Sequence, residues 1–233
     1  MKFSQFVGPL SAVAVISAFG AALAVSTPVP AMDAEAKASA TTTQSTAALV
    51  EAGQYKADPA HSFVTFTVDH FGVTPYTGLF GDVDGTLVLD PAKPQDAKVD
   101  MTIPVSKLTV ANAGLREHLL AAPKEAGGKP DFFGPAAADA RFVSTGITST
   151  GAETATLNGK LTLNGVTKDV SMPVEFHGAA KMPPQMNNAL SIGFTAHTEI
   201  RRSEFGLGYG VPMVSDAVKL DIVAAFIKDA PKP

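Results

Sequence analysis

Histidine is the residue type in this chain best suited to binding a metal ion. The chain contains five histidines and no cysteine, and imidazole is the commonest protein ligand for zinc and copper. No two histidines have a tight ligand spacing such as HxH or HExxH. The sequence therefore predicts no metal site. The histidines are His61, His70, His118, His177 and His197.

Residues for nucleophilic or acid–base catalysis do not form a recognisable pattern. Serines are plentiful, but the chain has no GxSxG elbow, and the dipeptide His61-Ser62 does not by itself create a catalytic triad. No glycine-rich phosphate loop lies at a strand-to-helix junction, so the sequence argues against nucleotide binding. No pair of carboxylates stands out for acid–base work. We therefore expect neither an enzyme nor a cofactor.

Arg116 and Arg202 are the other polar side chains of interest. A buried arginine needs a partner, and a carboxylate that binds in a bidentate manner fits the planar guanidinium. Two interpretations stay open. One arginine could face a phosphate or quinone oxygen of a ligand, or the arginines could form internal ion pairs that hold a helix to the rest of the fold. The plausible carboxylate partners are Asp58, Glu117, Asp131 and Glu204.

The segment from Phe63 to His70 shows the alternation of a β-strand with two different faces. Asp58 precedes it, and an aspartate there can close a local turn. His61, His70 and His118 all fall at the ends of predicted elements. They either contact a ligand head group or cap turns and tie the helix to the sheet. The face that ends in His70 also carries Val64, Phe66 and Val68.

Strands dominate the rest of the chain, and we count about eight in total. Asn164-Gly165 separates two of them and is the strongest hairpin signal in the sequence, because a type I′ turn requires two positive φ angles. Gly81 and Gly85 interrupt the predicted strand from Leu79 to Asp90 and indicate a bend or bulge. Leu87 and Leu89 share one face of that strand. The other predicted strands begin near Val99, Arg141, Ala155, Val166, Leu190 and Val218.

One short helix is predicted from Asn112 to Ala122, with Asn112 as its N-cap. A helix of this length is marginal alone and needs another surface to pack against. The segment from Pro123 to Pro135 is rich in proline and glycine, so we expect a loop. Its aromatic pair, Phe132 and Phe133, would insert into an apolar environment, and the loop itself would gate ligand entry.

The N-terminal sequence predicts export. Lys2 precedes an apolar run over residues 6–23, and Ala24 or Ala31 can end a small-x-small cleavage site. An uncleaved membrane anchor is the alternative. Residues 25–54 are rich in Ala, Thr, Ser and Pro, which predicts a disordered spacer. The predicted organisation is a signal peptide (1–24), this spacer, one folded domain (55–228) and a flexible tail (229–233).

Composition limits the partners. The net charge of −4 and the pI of about 5.7 argue against nucleic acid, which favours a basic patch. Eight antiparallel strands favour an all-β up-and-down barrel or a barrel-like sandwich, and an eight-stranded barrel can hold one small ligand. Lining candidates are Val64, Phe66, Val68, Leu87 and Leu89. Alternation separates the two faces but does not say which points inward.

Five motifs in order resemble the YceI-like family of exported, lipocalin-like polyisoprenoid-binding proteins: YKADPAHSFVTFTVDHFG, GLFGDVDGTLVLD, LREHLLAA with DFF, LNGKLTLNGVTKDVSMPV, and GFTAHTEIRRSEFG. The resemblance implies an eight-stranded antiparallel barrel whose interior holds an isoprenoid or another long amphiphile. It also implies a periplasmic carrier, with a stress-related scaffold as the alternative. The sequence departs from the family at Glu117 and in the inserted AAPKEAGGKP, which reshapes one lip of the barrel.

The ligand-binding candidates combine the apolar face with the polar groups and aromatics of these motifs. A homodimer stays open, and the sequence does not identify a delivery partner. The full candidate set is Val64, Phe66, Val68, His70, Leu87, Leu89, Arg116, His118, Phe132, Phe133, Arg202 and Phe205.

Overall fold

The computed structural model describes residues 46–228. The predicted signal peptide, the predicted tail and residues 25–45 of the predicted spacer lie outside the described residues. Within the described range, no helix combines the length and the apolar character that crossing a membrane would require.

Among residues 46–228, eleven strands form one antiparallel sheet, and one short α-helix (α1, Ala113–Leu119) is attached to it. Valine, isoleucine, threonine and aromatic residues in alternation favour these strands because branched and aromatic side chains pack well on a pleated surface. The strands are β1 (Gly53–Ala57), β2 (Phe63–His70), β3 (Thr74–Phe80), β4 (Asp84–Leu89), β5 (Lys98–Ile103), β6 (Leu108–Thr109), β7 (Ala140–Ser149), β8 (Thr154–Leu163), β9 (Val166–Lys181), β10 (Leu190–Arg201) and β11 (Ala217–Lys228).

The sheet closes into a ring of eight strands in the order β1, β4, β5, β7, β8, β9, β10 and β11, with β11 pairing back to β1. Strands β1 and β2 both pair with the same edge of β11. Phe226 of β11 pairs with Ala57 of β1, and Ile222 of β11 pairs with Val64 of β2. Strands β2, β3 and β6 extend the positions of β1, β4 and β5 toward one end of the ring. This confirms the predicted eight-stranded antiparallel barrel with one short helix.

The predicted strand from Leu79 to Asp90 is divided in two, between Phe80 and Asp84. Asp82 has a φ of 54° and Gly85 a φ of 151°. A Cβ on Gly85 would lie 2.2 Å from the carbonyl oxygen of Asp100, so glycine allows the close approach of β4 to β5. The glycine-rich bend is therefore confirmed, and a continuous strand is not.

Two other local predictions are confirmed. Asn164 and Gly165 join β8 to β9 with φ angles of 50° and 78°, as a type I′ turn requires. The side chain of Asn112 accepts a hydrogen bond from the backbone N–H of Leu115 at 2.9 Å, so Asn112 caps α1. The helix ends at Leu119, three residues before the predicted end.

The barrel has two distinct ends. The helix end carries α1, the β2–β3 turn, the β8–β9 turn and the β10–β11 connection (residues 202–216). The strap end carries the β4–β5, β7–β8 and β9–β10 connections and a strap formed by residues 46–52. The strap lies within the range predicted as spacer, residues 25–54.

Hydrogen bonds hold the strap in place. The backbone N–H of Ala179 donates to the hydroxyl of Thr46 at 2.6 Å. The hydroxyl of Tyr55 donates to the carbonyl oxygen of Glu51 at 2.5 Å, and the Lys228 ammonium donates to a Glu51 carboxylate oxygen at 3.2 Å. Burial raises the pKa of Tyr55 above its usual value. The amino-acid composition of the strap did not indicate these contacts, because few residues make them.

Candidate functional site

A cavity of about 280 Å³ lies inside the barrel. Among the described residues that line it, only Thr195 and Thr198 are not apolar. Several strands of the ring contribute alternate residues to this lining because side chains alternate across a sheet. On β11, for example, Leu220, Ile222, Ala224 and Phe226 all line the cavity. The remaining lining residues are Val64, Phe80, Val83, Leu87, Leu89, Pro94, Ala97, Val99, Met101, Ile103, Ala140, Phe142, Ile147, Ala155, Leu157, Leu161, Leu163, Val170, Met172, Val174, Phe194, Ala196 and Ile200.

Packed apolar clusters lie toward both ends of the cavity. Toward the strap end, Tyr55, Ile192 and Phe226 belong to one buried cluster, and Val50 of the strap packs against it. Toward the helix end, a second cluster forms around Phe205, which is 1 % exposed. Apolar clusters therefore border the cavity toward both of its ends.

The apolar candidates of β2 and β4 divide between the cavity and the helix-end cluster. Val64, Leu87 and Leu89 line the cavity. Phe66 and Val68 instead pack against the cluster of Phe205. Phe205 itself belongs to that cluster and does not line the cavity.

Arg202 binds backbone carbonyls and not a carboxylate. The side chain is 6 % exposed, and burial lowers its pKa, whereas the charge of Asp216 opposes that shift. Within the described chain its guanidinium makes four hydrogen bonds, all to carbonyl oxygens of the β10–β11 connection. The acceptors are Leu207, Tyr209, Val214 and Ser215.

Arg116 also binds backbone carbonyls. Its guanidinium donates to the carbonyl oxygens of Leu108 at 2.9 Å and Ser106 at 3.1 Å. These contacts hold α1 to the segment that enters it. The predicted carboxylate partners of both arginines are therefore wrong, because carbonyls of nearby loops occupy the donors.

His118 lies in an aromatic and ionic cluster at the helix end. Its Nε2 is 3.3 Å from a carboxylate oxygen of Asp131, which also binds the Lys124 ammonium at 2.8 Å. Lys124, with a smaller effect from His118, holds the pKa of Asp131 below its usual value. The rings of Phe132 and Tyr209 both lie 5.5 Å from the imidazole ring. This cluster fixes the loop after α1.

The aromatic pair of that loop separates. Phe132 belongs to the His118 cluster, whereas Phe133 packs against the Phe205 cluster and contacts the ring of Phe80 at 6.0 Å. Phe80 lines the cavity, so Phe133 lies directly behind its wall. The predicted insertion of Phe133 into an apolar environment is confirmed.

The other two histidines predicted at the ends of elements, His61 and His70, lie at the surface. His61 contacts a carboxylate oxygen of Asp58 at 2.6 Å, and Asp58 also accepts from the backbone N–H of Ala60, so the predicted aspartate turn is present. His70 ends β2 and is exposed, with its ring against Phe71. Across residues 46–228, no three His, Asp or Glu side chains converge as a metal site would require.

Most of the cavity wall comes from predicted strands on which no ligand-binding candidate was named. Met101, Phe142, Met172 and Phe194 line the cavity but were not among the candidates. Their alternation was visible in the sequence, but the inward face could not be identified before the ring closure was known. The structure brings Val64, Leu87 and Leu89 to the cavity wall, whereas the other apolar candidates and the polar candidates lie toward the helix end.

Comparisons with known proteins match this architecture. A family model described as YceI-like domain matches residues 55–226. A "UPF0312 protein" from Pseudomonas fluorescens (strain SBW25) is 35% identical over 189 residues, covering 78% of this chain and 92% of that protein. One from Pseudomonas putida (strain W619) is 34% identical over 189 residues, with the same coverage of 78% and 92%.

Solved structures show the same fold. Burkholderia cenocepacia BcnA superposes with a TM-score of 0.58 at 25% identity, covering 72% of this chain and 98% of that chain. A Campylobacter jejuni YceI protein gives a TM-score of 0.57 at 25% identity, with coverage of 70% and 90%. A polyisoprenoid binding domain from Saccharophagus degradans gives 0.52 at 14% identity, with coverage of 76% and 98%, and shows the fold alone. Because the family model covers most of the chain and relatives exceed 30% identity, the chain belongs to the YceI-like domain family.

Proposed function

We propose that this protein binds a long apolar molecule, an isoprenoid or a quinone-like amphiphile, inside its barrel and carries or buffers it in the periplasm. The observation that carries the proposal is the apolar cavity of about 280 Å³. The apolar run over residues 6–23 supports export. The Saccharophagus degradans domain, described as polyisoprenoid binding, supports the ligand class because it has the same fold.

The physical basis is apolar burial without specific polar chemistry. Each methylene moved from water into the cavity contributes roughly 0.8 kcal/mol. Thr195 and Thr198 are the polar exceptions among the described lining residues, so the wall distinguishes ligands by length and shape. Small-molecule sites commonly measure about 300–1,000 Å³, and this cavity lies near the lower limit. A longer chain must displace side chains of the clusters at either end.

A cavity-narrowing variant tests the proposal. Ala224 lines the cavity, and its neighbour Ala225 faces the other side of β11. Ala224→Leu should weaken binding of farnesol and geranylgeraniol at least about tenfold, because the larger side chain takes up the space of ligand atoms. Ala225→Leu is the matched control and should bind as the wild type does. Binding is measured by isothermal titration calorimetry.

Equal affinity in both variants would contradict the cavity as the binding site. A wild-type protein that binds no isoprenoid would contradict the ligand class and favour the stress-related interaction protein. A graded loss of affinity as the ligand is lengthened would instead identify the end clusters as the limit on chain length.

A further inference from the structure

Exposed apolar side chains gather on two loops at the helix end of the barrel. In the β2–β3 turn, Phe71 is 57 % exposed and Val73 is 78 % exposed. In the β10–β11 connection, Val211 is 38 % exposed and Met213 is 56 % exposed. These four residues are called the end patch below. Such exposure is unfavourable in water, so a cluster of this kind indicates an interaction surface.

The two loops form one continuous surface. The backbone N–H of Phe71 donates to the carbonyl oxygen of Met213 at 2.7 Å. The backbone N–H of Ser215 donates to the carbonyl oxygen of Asp69 at 2.9 Å, and His70 forms a β-bridge with Val214. The end patch is therefore assembled by main-chain hydrogen bonds between loops far apart in sequence.

Arg202 explains why the second loop turns its apolar side chains outward. Its guanidinium draws the carbonyl oxygens of Tyr209 and Val214 inward, each at 2.8 Å. The loop between those two carbonyls carries Val211 and Met213 to the surface. Because a buried cation fixes this backbone, the exposure of the two side chains is a built feature of the fold.

The rim of the patch is amphipathic. Tyr209 is 45 % exposed, and the Lys124 ammonium lies 5.2 Å above its ring. The Asp131 carboxylate is paired with the Lys124 ammonium, which removes it as a free charge. Tyrosine and lysine place an apolar body beside a polar tip and are suited to a boundary between water and an apolar phase.

We propose that the end patch docks on the surface of a phospholipid bilayer by inserting Phe71, Val73, Val211 and Met213 among the lipids. A stable protein–protein interface needs about 800 Å² and about 20–30 residues from each partner, whereas the patch consists of four side chains. A bilayer needs no such area, because each inserted side chain contributes independently. The net charge of −4 indicates apolar insertion without electrostatic attraction.

This surface goes beyond the proposed carrier function, since docking is measured on vesicles without any cargo. A failure to dock would leave cargo binding in the cavity untouched. Loss of cargo binding in Ala224→Leu would likewise leave docking untouched, because Ala224 lines the cavity.

The chain has no cysteine, so one introduced thiol carries a label at one known position. Met213→Cys and Met186→Cys are compared after labelling with an environment-sensitive fluorophore. Met186 is a matched control because it is 50 % exposed and lies at the strap end, in the β9–β10 connection. On phosphatidylcholine vesicles, we expect a blue shift and increased emission at position 213 and no change at position 186. An unresponsive label at 213, or equal responses at both positions, would overturn the proposal.

Vesicle flotation with unlabelled variants gives the energetic test. Phe71→Asn and Met213→Gln should each lower the partition coefficient about tenfold, which corresponds to about 1.4 kcal/mol. Phe71 has a φ of 60°, which asparagine tolerates. Met186→Gln should float as the wild type does, and salt should not change the result. Binding that salt abolishes, or a solution dimer that Phe71→Asn dissociates, would assign the patch to a different partner.

Discussion

Replacing Arg202 with methionine should destabilise the protein by about 3–5 kcal/mol. The guanidinium makes four hydrogen bonds to carbonyl oxygens in the β10–β11 connection. A hydrogen bond to a charged group contributes about 1.5–3 kcal/mol, and a buried acceptor left unpaired costs about 1–3 kcal/mol. The expected loss is smaller than the sum of these contributions over the four hydrogen bonds, because Tyr209 and Val214 lie near the surface. Water can replace the lost donor there.

Urea unfolding at neutral pH measures this loss. Arg202→Lys keeps the positive charge but not the planar guanidinium with its several N–H donors. We therefore expect it to lower the free energy of unfolding by about half as much as Arg202→Met does. Arg201→Met is the matched control, because the Arg201 side chain is 69% exposed and its contact with Asp216 spans 3.7 Å. That control should change the free energy of unfolding by less than about 0.5 kcal/mol. If Arg202→Met costs no more than Arg201→Met, the assigned role of Arg202 is refuted.

Three further perturbations test local features of the fold. Gly85→Ala should lower the free energy of unfolding by about 1–3 kcal/mol, because the added Cβ would meet the Asp100 carbonyl oxygen of β5. Gly146 has open space around it, so Gly146→Ala should change the free energy of unfolding by less than about 0.5 kcal/mol. Urea unfolding of the two variants measures the difference. Asn112→Ala should cost about 1 kcal/mol through loss of the α1 cap, measured in the same way. Hydrogen bonds from Ser203 lower the pKa of Asp216, so its stabilising effect should be present above its unfolded pKa of about 3.9 and be lost as pH falls through the lower folded pKa. The stability difference between the wild type and Asp216→Asn should therefore shrink below about pH 4, and a difference that grows there would contradict the assignment.

Local patterns predicted the elements of the barrel well. Asn164-Gly165 encoded its turn because few residue pairs tolerate two positive φ angles. Asn112 encoded the start of α1 through its side-chain oxygen. Gly81 and Gly85 indicated a bend, but not that the strand would separate into β3 and β4. That division depends on which neighbour each half pairs with, and pairing is a property of the closed sheet.

The candidate site was less accessible from sequence. Val64 and Phe66 share one face, yet Val64 lines the cavity and Phe66 packs in the helix-end cluster. Their difference is depth along the barrel, which alternation does not encode. Arg116 and Arg202 were matched to carboxylates because those partners are visible as residue types. Every residue carries a carbonyl oxygen, so the observed partners leave no signal in the sequence.

The central claim is that the barrel interior holds one long apolar molecule. The most direct test is native mass spectrometry of the protein purified from its own cells after export, followed by organic extraction and lipid analysis. The account predicts one prenyl lipid or quinone per chain in the wild type, and a lower occupancy in Ala224→Leu. An empty barrel that also refuses added isoprenoids would contradict the account.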